Sequence, residues 1–509
     1  MTAIRVAEVL AALSMTTDLA TGAPLETGMA VCVLGSALAD ELDLAEPDRA
    51  VVFHATLLSA VGCTAYASEN AHYFDDDAAF QSALRDLDPG DPGKFAAQLR
   101  AFGSWAPGRA QLLAQRFVEI APSEGPTAMR ASCEVSAALG PRLGLPAAAV
   151  AALADVHERW DGLGMPGTHR GAEVPLAARI LHVVEQAVRA HARGGRAAVV
   201  TELTARRGGH LDPELIDAFL RNTDALLARL DVIDRLAGVL AAEPGSPLLV
   251  DPGALDGLCH ALSIVVDLKG RYLLGHSAHV AQLADSAGAL MGLAPGDRAT
   301  TRRAGLLHDL GRAAVPASIW DRDGPLSAGD WEQVRLHAYW TDRILRRCPA
   351  LAGIAPVAAG HHERCDGSGY HRGVRGEDLP PLVRLLGCAD VYAALTEERP
   401  HRPARPAADA ARALMREAEA GRLDRAACAA TLEATGLPRP RAARTDLTGR
   451  EIEVLRLAAR GLSNREIAAT LVVSERTVGH HLAHVYDKTG RRTRAGAAVF
   501  AIEHGLLPG

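Results

Sequence analysis

Lysine is almost missing from this 509-residue chain: only Lys94, Lys269 and Lys488 carry it. Arginine supplies the positive charge instead, which looks like a coding bias toward GC-rich codons. The net charge of -7 argues further against a surface that binds nucleic acid over its whole extent. Aromatic residues make up 4%, so the cores must be built from Ala, Leu and Val, a composition that favours helices. The eight cysteines are scattered without a Cys-x-x-Cys pair, which leaves neither a zinc ribbon nor a disulfide framework. A reduced, cytoplasmic setting is expected. No uncharged apolar run approaches the ~20 residues of a membrane span. The N-terminal stretch, with Arg5 and Glu8, shows no secretory pattern.

What is present is apolar patterning over a length sufficient for three or four domains of roughly 150 residues. Val280, Leu283, Ala284, Ala287 and Leu290 recur at helical spacing. No convincing alternating run appears, so an all-α fold is expected. The chain also repeats itself. Ala12-Leu13-Ser14 and Asp18-Leu19 match Ala261-Leu262-Ser263 and Asp267-Leu268, 249 residues on. The same offset carries Leu57-Leu58 onto Leu306-Leu307 and Gly62 onto Gly311. His157-Glu158-Arg159-Trp160-Asp161-Gly162 matches His362-Glu363-Arg364-Cys365-Asp366-Gly367, now 205 residues on, so the first copy holds an insertion that includes Phe74–Asp77 and Pro89–Gly93. Gly245-Ser246-Pro247 and Asp251-Pro252-Gly253 mark the join between the copies. The expected domains are 1–245, 254–436, a linker at 437–445 and a compact module at 446–509.

Two short stretches carry the chemistry. One is Leu306-Leu307-His308-Asp309-Leu310-Gly311-Arg312; the other is His361-His362-Glu363-Arg364-Cys365-Asp366-Gly367-Ser368-Gly369-Tyr370. With His276, His337 and Asp390 they supply seven candidate metal ligands: His276, His308, Asp309, His337, His361, His362 and Asp390. Imidazole and carboxylate suit divalent metals, and carboxylate can bridge two ions. Two ions ~3.5–4 Å apart clamp both oxygens of a phosphodiester displacement. On a continuing helix His308 and Asp309 would point about 100° apart, so Asp309 is expected to bridge. In the first copy the corresponding positions are Thr27, Ser59, Ala60, Ser132, Val156 and Glu185, and a metal site cannot survive there.

From about Ala261 to Gly436 the second copy resembles the HD-GYP phosphohydrolases, a branch of the HD superfamily. The match rests on Gly275-His276-Ser277, the Leu-Leu-His-Asp-Leu-Gly run, the His337 helix, the His-His-Glu motif, Ala389-Asp390-Val391-Tyr392-Ala393-Ala394-Leu395-Thr396 and Arg399-Pro400. The resemblance implies a helical fold, a centre of two divalent ions, iron or manganese, and hydrolysis of cyclic di-GMP. It assigns catalysis to Asp309 and Arg312, and substrate binding to Arg312, Arg399 and Arg402. Arg312 stands where the family has a lysine that contacts substrate phosphate, and Gly369-Tyr370-His371 stands where it has Gly-Tyr-Pro. Tyr272 occupies the position of a third-metal glutamate found in some members. Asp366 is expected to organise its loop.

Beyond the linker, Thr448 and Glu451 form a capping box before an apolar run. Ser463-Asn464-Arg465-Glu466-Ile467-Ala468 and a second helix started by Ser474 complete a helix-turn-helix pattern. Asp446 to Leu507 closely resembles the LuxR-type DNA-binding domain, a small four-helix module. The resemblance places the helix from about Glu475 to Lys488 in the major groove of double-stranded DNA, with Arg476, Thr477 and His480 at base edges. Lys488, Arg491, Arg492 and Arg494 are assigned to DNA as well, the last three to phosphate. Nine Lys+Arg against seven Asp+Glu over 445–509 make the module only weakly basic, so a homodimer on a two-part site is expected. The whole reads as a cytoplasmic bacterial transcription regulator with tandem HD-type domains, the first degenerate, that hydrolyses or senses a cyclic dinucleotide. The alternative is a catalytically silent transcription factor that senses metal and nucleotide.

Overall fold

The computed structural model describes residues 3–85, 87–88, 90–231, 233–436 and 445–507. Among these residues the chain is helical; the only strands are Ile4–Arg5 and Leu249–Val250, paired antiparallel. Two compact units form, Met1–Ala254 and Leu255–Gly509. Part of the segment read as a join belongs to the first unit, because Leu249 and Val250 use their backbone groups against Arg5 and Ile4. The expected linker at 437–445 lies outside the described residues except for Thr445.

In the first unit the helices Val6–Ala20, Thr27–Glu41, Glu46–Leu57 and Leu176–Ala205 bury Leu10, Leu13, Leu34, Leu38 and Leu57. The insertion makes its own cluster from Phe74, Phe80, Phe102 and Phe117 around Leu113, with the Phe74 and Phe80 rings stacked at 3.9 Å. Half of the chain's eight phenylalanines are spent there.

In the second unit a core of small residues lets helices approach closely. A Cβ on Gly305 would come within 2.6 Å of the Ala281 Cα, so the helices His276–Leu290 and Pro295–Leu307 meet backbone to backbone. Val280, Leu283, Ala284 and Ala287 are buried as their spacing predicts, and Leu290 at the helix end is exposed. A Cβ on Gly311 would lie 1.9 Å from the His337 carbonyl oxygen. Only glycine lets the turn Leu310–Ala314 sit against the helix Ala328–Arg347, which sets Asp309 beside His337.

Some local contacts of the first unit resemble ones in the second. A Cβ on Gly62 would lie 2.0 Å from the Ser132 oxygen, as Gly311 does from His337. Asp18 accepts the Gly28 amide at 3.0 Å; Asp267 accepts Gly275 at 3.1 Å and the Ser277 hydroxyl at 2.7 Å. Glu158 accepts the amides of Gly167 and Thr168, and Glu363 those of Arg372 and Val374.

The C-terminal module has four helices: Gly449–Ala459, Asn464–Leu471, Glu475–Thr489 and Arg494–Glu503. Thr448, Ser463 and Ser474 cap the first three as the sequence predicts, and the boxes with Glu451 and Glu466 are both closed. Val454, Leu455, Ile467, Val478, Leu482 and Val485 fill its two small cores.

Candidate metal centre

All seven predicted ligands meet in the second unit. His276 opens the helix His276–Leu290, His337 sits mid-way along Ala328–Arg347, His361 and His362 follow Ala355–Ala359, and Asp390 lies within Pro381–Thr396. The helix before His308 stops at Leu307, and the chain turns at Asp309, so these neighbours are not side by side on a helix. That turn lets both reach one centre. Asp309 Oδ2 lies 3.1 Å from His308 Nε2 and 3.8 Å from His276 Nε2, while Oδ1 lies 3.5 Å from His337 Nε2 and 3.6 Å from His361 Nε2. One carboxylate thus faces two histidine pairs with its two oxygens. Asp390 Oδ1 closes the first group at 3.3 Å from His276 and 3.8 Å from His308. His362 joins His337 and His361 in the second.

Each imidazole is aimed by its other nitrogen. The Nδ1 atoms of His308, His337 and His361 contact the carbonyls of Gly305, Val334 and Ala358, each three residues back. A carbonyl only accepts, so Nδ1 donates and Nε2 keeps its lone pair. His276 Nδ1 instead meets Glu397 Oε2 at 2.8 Å, and His279 Nδ1 meets Oε1 of the same carboxylate at 3.0 Å. Carboxylate behind a ligating histidine fixes its tautomer and raises its basicity.

A divalent pair fits this donor set. His276 Nε2, His308 Nε2 and Asp309 Oδ1 are buried without a hydrogen bond, and His337 and His361 bring Nε2 to Nε2 at 3.2 Å. Buried polar atoms rarely go unpartnered, and facing lone pairs call for a cation. Burial drives the His337 imidazole down to about 4 and those of His361 and His362 well below the ordinary value. They are neutral at physiological pH, as metal ligation requires. Burial also opposes charge on His276, but Glu397 and Asp390 overcome it and raise the group to about 9. Burial would raise Asp309; Arg312 and His308 outweigh it and hold the carboxyl well below its usual range.

Beside the centre lies a cavity of about 780 Å³ whose wall includes Arg312, His337, His362, Asp390, Arg399 and Arg402. Arg312 Nε is 2.8 Å from Asp309 Oδ2, and its guanidinium stacks over Trp320 at 4.5 Å. Arg399 donates to the Tyr272 carbonyl and to Glu397. Arg402 donates to the carbonyls of Ala394, Leu395, Glu397 and Pro403, so it braces the loop while lining the cavity. Asp366 accepts the Ser368 amide and hydroxyl and organises its loop. Sequence reasoning missed Glu397, His279, Trp320 and Trp331. Glu397 carried a signal, an acid two residues before Arg399 in the same run; the others carried none.

In the first unit Arg85, from the insertion, lies 3.8 Å from Glu185. Its charge also acts on Asp18, Cys63 and His157. Among the described residues, every cluster of three or more metal-binding side chains lies in the second unit.

In the C-terminal module Arg476 and His480 are exposed on the helix Glu475–Thr489, and Thr477 beside them is half-buried. Lys488 is held by Glu451 at 2.7 and 2.9 Å, Arg494 donates to the Leu462 carbonyl and to Asn464 Oδ1, and Arg491 lies 3.7 Å from Glu503. Lys488 and Arg494 therefore each have an acceptor inside the module. Arg492 is exposed.

Residues 261–427 match the HD domain family, and residues 445–501 match the luxR family of bacterial regulatory proteins. The second unit thus carries a match to the HD domain family followed by a match to the luxR family. The chain is similar to 3′3′-cGAMP-specific phosphodiesterase 3 of Vibrio cholerae, 28% identical over 434 residues, which cover 81% of this chain and 90% of that protein. It is similar to 3′3′-cGAMP-specific phosphodiesterase 1 of the same organism at 31% identity, over 31% of this chain and 37% of that one. A cyclic di-GMP phosphodiesterase of Pseudomonas aeruginosa is 38% identical over 23% of this chain and 28% of its own. In fold, the chain is similar to a crystal structure of a Vibrio cholerae cyclic GMP-AMP-specific phosphodiesterase, with a TM-score of 0.60 at 24% identity, covering 86% of this chain and 99% of that one. That share exceeds either unit alone. Among the described residues no helix is long and apolar enough to cross a membrane.

Proposed function

We propose that the chain is a cytoplasmic, dimeric DNA-binding regulator whose HD domain hydrolyses a cyclic dinucleotide at a two-metal centre. The observation that carries this reading is Asp309, whose two oxygens face two separate histidine pairs beside a cavity lined by arginines. When bound, a pair of divalent ions neutralises phosphate charge and provides a nucleophile at neutral pH. The chain's own residues do the rest. Arg312 and Arg399 take phosphate oxygens by charge-assisted hydrogen bonds, Glu397 keeps His276 in its ligating tautomer, and Arg402 holds the loop that carries Arg399. Relatives named for cyclic GMP-AMP and cyclic di-GMP support the substrate class. The first unit reads as a copy that kept the frame and lost the ligands, with Arg85 supplying the positive charge. The C-terminal module would present Arg476, Thr477 and His480 to the major groove.

A second reading, a sensor that binds nucleotide without turnover, is favoured by the ion pair between Arg312 and Asp309, because that cation competes with metal for the bridging carboxylate. Metal content and single-turnover hydrolysis of cyclic di-GMP and 3′3′-cGAMP, measured on one purified sample, separate the two. About two ions per chain with hydrolysis supports the enzyme. Tight binding without product supports the sensor.

A further inference from the structure

The cavity beside the metal centre is rich in aromatic rings in a chain that has few. Tyr272, Trp320, Trp331 and Tyr370 line it, although Phe, Trp and Tyr together make up 4% of the sequence. Two of these rings are engaged with the centre. Trp320 carries the Arg312 guanidinium at 4.5 Å and sits edge-on to His337 at 5.9 Å. Tyr370 lies 4.7 Å from the His362 ring. Trp331 differs from both. It is 46% exposed, and no ring, cation or side-chain hydrogen bond is seen at its indole among the described residues. The small core of Val315, Ile319 and Val334 packs Trp320 and Leu326 but not Trp331. A large, half-exposed apolar side chain outside that core thus lines a cavity shared with Arg312, Arg399 and Arg402.

Helix geometry says what such a ring can reach. Trp331 sits in the first turn of Ala328–Arg347 and lines the same cavity as Val334 and His337 of that helix. Trp331 and His337 are six residues apart, about 9 Å along the axis. That is comparable to the separation between a base and its own phosphate in a nucleotide. Every base has a π-face, and stacking on an aromatic side chain is worth roughly 1–3 kcal/mol per base.

We infer that Trp331 is the platform on which a purine base of the substrate stacks while the phosphodiester lies at the metal centre, with Trp320 as the inner wall of the same slot. This rests on the cyclic-dinucleotide reading above and adds a specificity element to it: purine bases are selected by stacking area at the rim. The ligand class is a cyclic dinucleotide with at least one purine.

The test uses the full metal-loaded chain with three substrates: cyclic di-GMP, cyclic di-UMP and bis(p-nitrophenyl) phosphate, which has no base. Trp331→Ala is expected to lower the preference for cyclic di-GMP over the base-free diester roughly 5- to 150-fold, the span of one lost stack, through KM rather than kcat. It should also narrow the gap between the purine and pyrimidine dinucleotides, and Trp331→Phe should restore most of both. A binding readout runs alongside. Tryptophan fluorescence of the wild-type chain should be quenched by cyclic di-GMP, and the share from Trp331 should be absent in Trp331→Phe, leaving that from Trp320. If dinucleotides bind or turn over but the preference is the same in Trp331→Ala as in wild type, or the quenching in Trp331→Phe is undiminished, the platform is overturned while the two-metal reading stands. If wild type neither binds nor cleaves any dinucleotide yet hydrolyses the base-free diester, the cyclic-dinucleotide reading falls and the platform with it.

Discussion

Arg312 Nε stands 2.8 Å from Asp309 Oδ2, so an arginine that lines the cavity also holds the carboxylate between the two histidine pairs. Substitution should therefore push two measurements in opposite directions. Arg312→Ala should raise KM for a cyclic dinucleotide by roughly 10- to 150-fold, the range for a lost hydrogen bond to a charged group. Metal affinity should stay the same or rise, because a competing cation is gone. Arg312→Lys keeps the charge but loses the planar stack on Trp320, and its KM should fall between the two. Steady-state kinetics with metal analysis on the same preparations checks this.

Asp309→Ala removes the one carboxylate that faces both groups of ligands. About two ions per chain are expected in wild type and well under one in the variant, by elemental analysis after desalting. Two ions retained would contradict the assignment of Asp309 as the bridge.

Glu397 touches no candidate metal position but anchors His276 Nδ1 at 2.8 Å. Loss of such a supporting carboxylate typically costs 10- to 100-fold in metal affinity or activity. Glu397→Gln should show that loss in a competition titration against a chromogenic chelator, and its far-ultraviolet circular dichroism should match wild type.

The seven candidate ligands were legible because they depart from what reads as a diverged repeat, where Ser59 and Ala60 stand against His308 and Asp309. The caps at Thr448, Ser463 and Ser474 were legible because capping is local. Glu397 and His279 were not, since their role depends on a helix end returning to another helix 118 or more residues away in sequence. Trp320 and Trp331 looked like isolated aromatics until the cavity collected them. Lys488 and Arg494 read as cations for DNA; the structure gives each an acceptor inside the module, a contact that charge counting cannot see. The insertion was visible as an offset, but the return of Arg85 to Glu185 was not.

Glu451 is held at about 2, against an ordinary 4.5, first by Lys488 and then by the Thr448 backbone. A carboxyl whose folded value is depressed stabilises the fold fully above its unfolded value, and that contribution is lost as pH falls through the folded one. The stability of the C-terminal module should therefore drop between pH ~4.5 and ~2 through this group. Glu451→Gln should be less stable at neutral pH and should show a shallower fall over that window, measured by urea melts at a series of pH values.

Arg476 is exposed on the helix Glu475–Thr489 and belongs to a different part of the fold from the ligands. Arg476→Ala should abolish binding to operator DNA in a gel-shift assay and leave nucleotide hydrolysis at the wild-type rate. If nucleotide controls DNA binding, operator DNA must change nucleotide affinity by the same factor, typically 5- to 150-fold. Titrating nucleotide into Asp309→Asn protein shown to retain metal, with and without DNA, reads that factor. Equal affinities would leave the two activities uncoupled.

The guanidinium of Arg85 beside Glu185 has a consequence for how the chain depends on its surroundings. A metal ion is a soluble component whose occupancy follows its free concentration, and a centre that uses one gains or loses stability with supply. Arg85 is attached to the backbone and always charged, so its local concentration is fixed by the fold. Residues 1–254 are therefore expected to keep their stability when metal is withdrawn, and the second unit to lose stability as its supply falls.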